Sequence, residues 1–263
     1  MDVLIERREL LAKARERHLN LNLVEKDYVL GWLLFGFSKI NSLVFKGGTA
    51  LSKIYFPEIW RLSEDLDFSL LSDDFSVVSQ QIKEIFKLIE NKSGIQLNLK
   101  SEFSNPDYLQ LKIQYIAVVG RNWVKIDVTK NDLVLGPSLK AIKKIYSDYT
   151  NFKIRVESIE EIFCAKVRSA IKRKKCRDFF DLWRLMSLPI EFKTVNEIIG
   201  EKLKIKGIDI SSIDQIFPKD LKEILEPYWG KELGRLVSSL PDLDLVLKES
   251  RSLLEEKLSF VKP

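Results

Sequence analysis

The sequence predicts an α/β (α+β) protein whose sheet-bearing N-terminal half gives way to a helical C-terminal half. Three observations carry that prediction. Residues 43–71 read as strand, Gly-Gly turn, helix and strand. Three runs between residues 95 and 128 alternate apolar and polar side chains, the period-two pattern of half-buried antiparallel strands. From Ser158 the texture changes: Ser158 and Glu161 have the spacing of a capping box, and helical periodicity continues to residue 258. With 263 residues, 45% of them apolar, the chain can form one large domain or two modest ones with ample core.

The elements follow in order. Residues 2–19 predict a charged helix with Val3, Leu4, Leu10 and Leu11 near helical spacing, interrupted by Asn20 and Asn22. Residues 23–40 predict a second helix, apolar on most sides and therefore buried. Its Glu25, Lys26 and Asp27 fall in the first turn, where acids favour the helix dipole, so capping is preferred to a substrate role. A strand over 43–46 leads to a short helix over 49–55, ended by Pro57. A strand over 66–71, a crossover helix over 75–90 and strands over 95–103, 108–117, 123–128 and 152–157 complete the first half. Helices are expected over 159–174, 178–187, 194–203, 219–226, 231–239 and 243–258. The division falls between 1–157 and 158–263 as a change of class, with no low-complexity linker.

The stretch FKGGTALSKIYFPEIWRLSEDLDFSL, residues 45–70, holds the chemistry. On a strand, Asp65 and Asp67 point to one side while Leu66 and Phe68 turn into the core. Two carboxylates held a few Å apart repel unless a cation lies between them, and an oxygen-only site suits Mg²⁺. Gly47, Gly48 and Thr49 open a helix whose free N–H groups make a cradle for phosphate. Lys46 precedes that turn and Lys53 lies one helical turn beyond Thr49; either reaches phosphate, and a surface role is as good a reading for Lys53. A bare Asp-x-Asp or a bare Gly-Gly-Thr is a common accident, but the two in this order are rare. Together they indicate a site for a nucleoside triphosphate and a metal.

On these residues the chain resembles the AbiEii/AbiGii-type nucleotidyltransferase toxins of the polymerase-β-like nucleotidyltransferase superfamily. The matching motifs are Lys46-Gly47-Gly48-Thr49-Ala50-Leu51-Ser52-Lys53 and Arg61-Leu62-Ser63-Glu64-Asp65-Leu66-Asp67-Phe68. Glu25-Lys26-Asp27-Tyr28 and Arg177-Asp178-Phe179-Phe180-Asp181-Leu182 also match. The resemblance implies a polymerase-β-like core with a mixed sheet, carrying two Mg²⁺ ions on Asp65 and Asp67. It also implies a third carboxylate on a neighbouring strand, binding the catalytic metal and able to take the hydroxyl proton. Asp127 is the candidate, since an acid amid apolar strand residues is costly unless paired or metal-bound. Lys125, two residues back on the same face, offers a plain salt bridge as the competing reading. Arg61 and Ser63 would support the triphosphate or the metals, although the spacer before Asp65 is long. In the helical half, Lys166, Arg177, Asp178 and Asp181 match the family pattern, with helix capping the rival reading for the two acids.

Residues 166–177 hold seven lysines and arginines and no acid. Lys166, Arg173 and Arg177 share one face if the helix is continuous, and that face suits triphosphate or an RNA backbone as well as plain solvation. The net charge is +5 and the pI about 9.0. The resemblance implies transfer of NMP from NTP to an acceptor such as the tRNA 3′ end, with a cognate antitoxin protein as partner. A fold kept without chemistry, as an RNA-binding or antitoxin-binding module, is the alternative, and modification of a protein acceptor a third. The single histidine, His18, excludes zinc sites and Ser-His-Asp triads, and Cys164 and Cys176 lack metal-ligand spacing. The longest apolar run, residues 28–37, is too short for a bilayer and no secretory signal is visible, so a cytoplasmic protein is expected.

Overall fold

The computed structural model describes residues 4–56, 61–130 and 132–259; Val3 and Pro57, invoked above, lie outside them. The chain forms two compact units, one of residues 1–131 and 136–157 and one of 132–135 and 158–263.

The first unit opens with α1 (Arg7–Glu16) and α2 (Leu21–Phe37). Asn20 starts α2 as well as interrupting the chain: its side chain accepts the Asn22 N–H at 2.8 Å. Almost every side of α2 is buried, as its composition predicts. Two of its glycines make room for neighbours: a Cβ on Gly31 would meet the Tyr149 hydroxyl, and one on Gly36 would meet Ile85 and Ile89. Strand β1 (Leu43–Lys46) runs directly into α3 (Gly47–Ala50), which continues as a π-helical turn over Leu51–Tyr55. The sheet then takes β2 (Asp65–Leu70). The expected crossover helix is two pieces, α4 (Ser76–Ser79) and α5 (Ile82–Ser93), the second stopped by Gly94 at φ +71°.

Strands β3 (Gln96–Asn105), β4 (Tyr108–Ile116) and β5 (Arg121–Thr129) form the predicted antiparallel meander. Two short strands follow, β6 (Ser138–Ala141) and β7 (Lys153–Val156). The sheet order is β3-β4-β5-β2-β1-β7-β6. β2 runs parallel to β5 and β1 parallel to β7, while β1 and β2 are antiparallel, so the sheet is mixed. Strand β6 was not anticipated; it is a four-residue edge strand, half-buried at best, and shows no alternation to read.

The second unit is helical: α6 (Ile159–Arg173), α7 (Cys176–Leu185), α8 (Phe192–Lys204), α9 (Leu221–Leu233) and α10 (Leu243–Lys257). The Ser158–Glu161 capping box is present with both bonds made, at 3.1 and 3.0 Å. The two helices expected at 219–226 and 231–239 are one: α9 carries Pro227 inside it and ends at Leu233. The helix is not continuous through 166–177: α6 and α7 are separate, as expected, because Lys174 takes the left-handed conformation (φ +44°) that closes α6. Arg177 therefore belongs to α7, off the α6 face that carries Lys166 and Arg173. Among the described residues no helix is long and apolar enough to cross a membrane.

Candidate active site

The register of four strands gathers the sheet acids. Lys46 of β1 lies opposite Asp67 of β2, Asp67 opposite Asp127 of β5, and Asp127 opposite Gln110 of β4. Asp65 pairs in register with Lys125. Side chains of register partners share a sheet face, and those two residues apart along a strand do as well. Asp65, Asp67 and Asp127 thus stand on one half-exposed face, while Leu66, Phe68, Ile126 and Val128 fill the core behind them.

The Gly-Gly turn abuts this face. Gly47 has φ +78°, and a Cβ there would come within 2.5 Å of Asp67 Oδ2. Only glycine tolerates both the backbone conformation and the approach. The α3 backbone is thereby held against the Asp67 carboxylate.

The flanking polar residues are more committed than the sequence suggests. The Thr49 hydroxyl, expected at the triphosphate, is buried and donates to the Asp65 carbonyl at 2.6 Å, tying α3 to β2. Lys46 reaches along the sheet, its ammonium donating to Ser69 Oγ (2.8 Å) and Thr129 Oγ1 (2.6 Å). Arg61 is buried and donates to the Leu62 carbonyl at 3.0 Å; Ser63 is half-buried. Lys53 is neither a phosphate contact nor a surface residue. It is fully buried, 2.6 Å from Asp27 Oδ1, and donates to the Asp27 carbonyl at 2.9 Å. Burial pushes the Lys53 ammonium below its ordinary value, against the pull of Asp27. Asp27 in turn accepts from the Tyr146 hydroxyl at 3.0 Å, so it serves neither capping nor substrate.

Asp127 is engaged, but by neutral donors. Tyr108 donates to its Oδ1 at 2.6 Å and Gln110 Nε2 at 3.0 Å, whereas Lys125 approaches Asp65 instead, at 3.7 Å. Burial first, and then the bond to Asp127, push the Tyr108 hydroxyl above the ordinary tyrosine range, keeping it a donor. Tyr108 and Gln110 were missed because only the β4–β5 register brings them to Asp127. The expected three-carboxylate metal group is not assembled: among the described residues no three His, Cys, Asp or Glu side chains gather as a metal-holding set. Asp127 is held by donors on β4, and Asp65 lies near Lys125. The donor chemistry still suits Mg²⁺, which is commonly held by one or two carboxylates with substrate phosphates supplying further oxygens.

The helical unit holds its own charged cluster. Lys166 of α6 lies 2.6 Å from Asp181 and 4.0 Å from Asp178 of α7. Arg173 grips Asp178 with two bonds, Nε to Oδ2 at 2.8 Å and Nη2 to Oδ1 at 2.7 Å. Both aspartates are fully buried and Lys166 nearly so. These residues clamp α6 to α7: burial takes Lys166 out of a solvent-facing phosphate patch, whereas Arg173 stays half exposed while its guanidinium is committed to Asp178. Two other cations of the run are also engaged: Arg168 lies 3.6 Å from Asp132, and Lys172 donates to the Lys206 carbonyl at 3.1 Å.

A mixed sheet that aligns acids on β2 and β5 beside a glycine-led helix defines a protein of the nucleotidyltransferase class. Residues 32–256 match the family described as nucleotidyl transferase AbiEii toxin, type IV toxin–antitoxin system; the chain belongs to this family and is a nucleotidyltransferase. The MenT4 nucleotidyltransferase toxin from Mycobacterium tuberculosis H37Rv has a similar structure, with a TM-score of 0.76 at 21% identity over 97% of this chain and 89% of that one. JHP933 from Helicobacter pylori is also similar, with a TM-score of 0.60 at 19% identity over 91% and 94%. At these identities the likeness is one of fold. No curated protein matches the sequence significantly.

Proposed function

We propose that the protein transfers NMP from an NTP to the 3′ hydroxyl of an RNA acceptor, tRNA being the leading candidate, and acts in the cytoplasm as a toxin neutralised by a cognate antitoxin protein. The observation that carries this reading is the seating of Gly47 against Asp67, with Asp67 and Asp127 in register on adjacent strands. In it, the amides of Gly47 and Gly48 meet the triphosphate where α3 begins, and Lys46, Thr49, Arg61 and Ser63 brace that turn and its strands. Asp65 and Asp67 would hold Mg²⁺, in one or two ions, together with phosphate oxygens. Bound there, the metal would neutralise phosphate charge and stabilise attacking and leaving oxygens.

Asp127 would accept the acceptor hydroxyl's proton. Its bonds to Tyr108 and Gln110 both fall on Oδ1, which fixes the carboxylate plane and leaves Oδ2 for the proton. The family resemblance gives Lys166, Arg173 and Asp178 a part in the reaction as well, alongside their role in joining α6 to α7. The test is incubation with Mg²⁺, each α-labelled NTP in turn and total RNA. Label in a discrete RNA band, lost in Asp65→Ala, is the expected result. Label in protein alone would favour a protein acceptor, and no label anywhere would return the fold to a binding role.

A further inference from the structure

Strand β5 presents Arg121, Trp123, Lys125 and Asp127 on one face at two-residue spacing, while Val124, Ile126 and Val128 enter the core. The register places Lys112 opposite Lys125, Gln114 opposite Trp123, and Phe103 of β3 opposite Gln110. The Lys112 ammonium lies 4.1 Å from the centre of the Trp123 ring. The Phe103 ring lies 6.4 Å from that of Tyr108, whose hydroxyl donates to Asp127. Both outer aromatics are open to solvent, Trp123 at 52% and Phe103 at 58% exposure. Asp127 is the sole acid on this face among the described residues of β3–β5.

Isolated exposed apolar residues are ordinary. Here Trp123 alternates with Arg121 and Lys125 along β5, and Phe103 stands on β3 in register with Gln110 and Asp127, on a sheet face that ends at an acid of the candidate site. Aromatic rings and interleaved cations on an open sheet are the chemistry that stacks unpaired bases and tracks a phosphate backbone. A base inside a duplex cannot reach such a ring, so the ligand chemistry is that of a single strand.

We propose that this face of β3–β5 is the landing platform for the acceptor: a single-stranded RNA 3′ end stacks its bases on Trp123 and Phe103, with Arg121 and Lys112 on its phosphates. The four residue steps from Trp123 to Asp127 span about 13 Å of strand, so a stacked base lies a few nucleotides from the terminal hydroxyl. This deepens, and rests on, the reading of the site as a nucleotide-transfer centre.

The experiment uses the full chain carrying Asp65→Asn, without NTP, titrated with a fluorescently labelled single-stranded RNA oligonucleotide bearing a free 3′ hydroxyl. Adding Trp123→Ala should raise Kd at least about five-fold, the effect of losing one stacked base. Trp123→Phe should restore most of the affinity. Lys112→Ala with Arg121→Ala should flatten the salt dependence by about 1.4 in slope, roughly 0.7 per lost phosphate contact. The same oligonucleotide annealed to its complement should bind more weakly. Equal binding by the parent and Trp123→Ala, or equal binding of single strand and duplex, overturns the platform. Transfer by the chain with Asp65 intact is measured separately. Intact transfer with Trp123-independent binding removes the platform alone, whereas Trp123-dependent binding without transfer supports the platform and removes the transfer reading.

Discussion

Gly47 joins backbone to chemistry at one atom's distance. A methyl group there would need φ +78° and would stand 2.5 Å from Asp67 Oδ2. Gly47→Ala should therefore strain the turn by about 1 kcal/mol and move the Asp67 carboxylate as well. We expect nucleotide transfer to fall at least ten-fold with only a few degrees lost in melting temperature. An alanine variant as active as the parent would detach the glycine from the site. Asp65→Ala, which removes a proposed metal ligand without opening the core, should cost at least about a hundredfold in transfer, roughly 2.7 kcal/mol of barrier. Asp65, Asp67, Gly47 and Gly48 were legible because strand alternation and glycine's backbone freedom act over two or three residues. Thr49 and Lys46 were legible in place but not in partner: each hydrogen-bonds to an atom at least sixteen positions away, at Asp65, Ser69 or Thr129. No local rule reaches that far.

At the scale of elements, charge patterns misled more than apolar ones. The all-round burial of α2 follows from its apolar composition, and the alternation of β4 and β5 from hydrophobic period. Lys53 in the π-helical turn after α3 and Lys166 in α6 do not, because a buried ion pair reads in sequence like a solvated one. Lys53 and Asp27 join the helix after the Gly-Gly turn to α2. Lys53→Met would leave the Asp27 charge buried with its main cation gone, and a destabilisation of about 3–5 kcal/mol is expected. The double variant Lys53→Met/Asp27→Asn should recover part of that loss in a urea melt; a recovery of nothing would mean that the pair is not the source. The α6–α7 clamp separates catalysis from architecture in another way. Asn can accept one of the two Arg173 bonds but brings no charge, so Asp178→Asn should lower the melting temperature if Asp178 only holds Arg173 and Lys166. A variant that melts like the parent and loses transfer would instead give Asp178 the part in the reaction that the family resemblance assigns it.

For the whole molecule, the two compact units differ in a way that simple reagents can read. Cys164 and Cys176 both lie in the helical unit, buried at 0% and 1% exposure. Burial pushes the Cys164 thiol up to about 12 and the Cys176 thiol up to about 11, from an ordinary 9.0. Only the thiolate is nucleophilic, so native protein at pH 8 should take up no iodoacetamide over an hour, and both thiols should react in denaturant. The same shifts set a pH dependence. Because the folded pKa values exceed the unfolded one, the contribution is complete below about pH 9 and is lost as pH rises through 11 to 12, where the folded thiols also ionise. Replacing both cysteines with alanine should flatten that part of the stability curve. Thiol uptake across a urea titration then reports opening of the helical unit alone. If uptake precedes the loss of sheet signal in far-UV circular dichroism, the helical unit opens first; coincident transitions would show one cooperative step through the whole chain. We expect uptake to come first, because the two aspartates that fasten α7 to α6 are fully buried in ion pairs, which tolerate a partial loss of packing poorly, whereas Leu66, Phe68, Ile126 and Val128, the core-facing side chains of β2 and β5, are apolar. Modification of either thiol in the native state at pH 8 would contradict the burial on which this ordering depends.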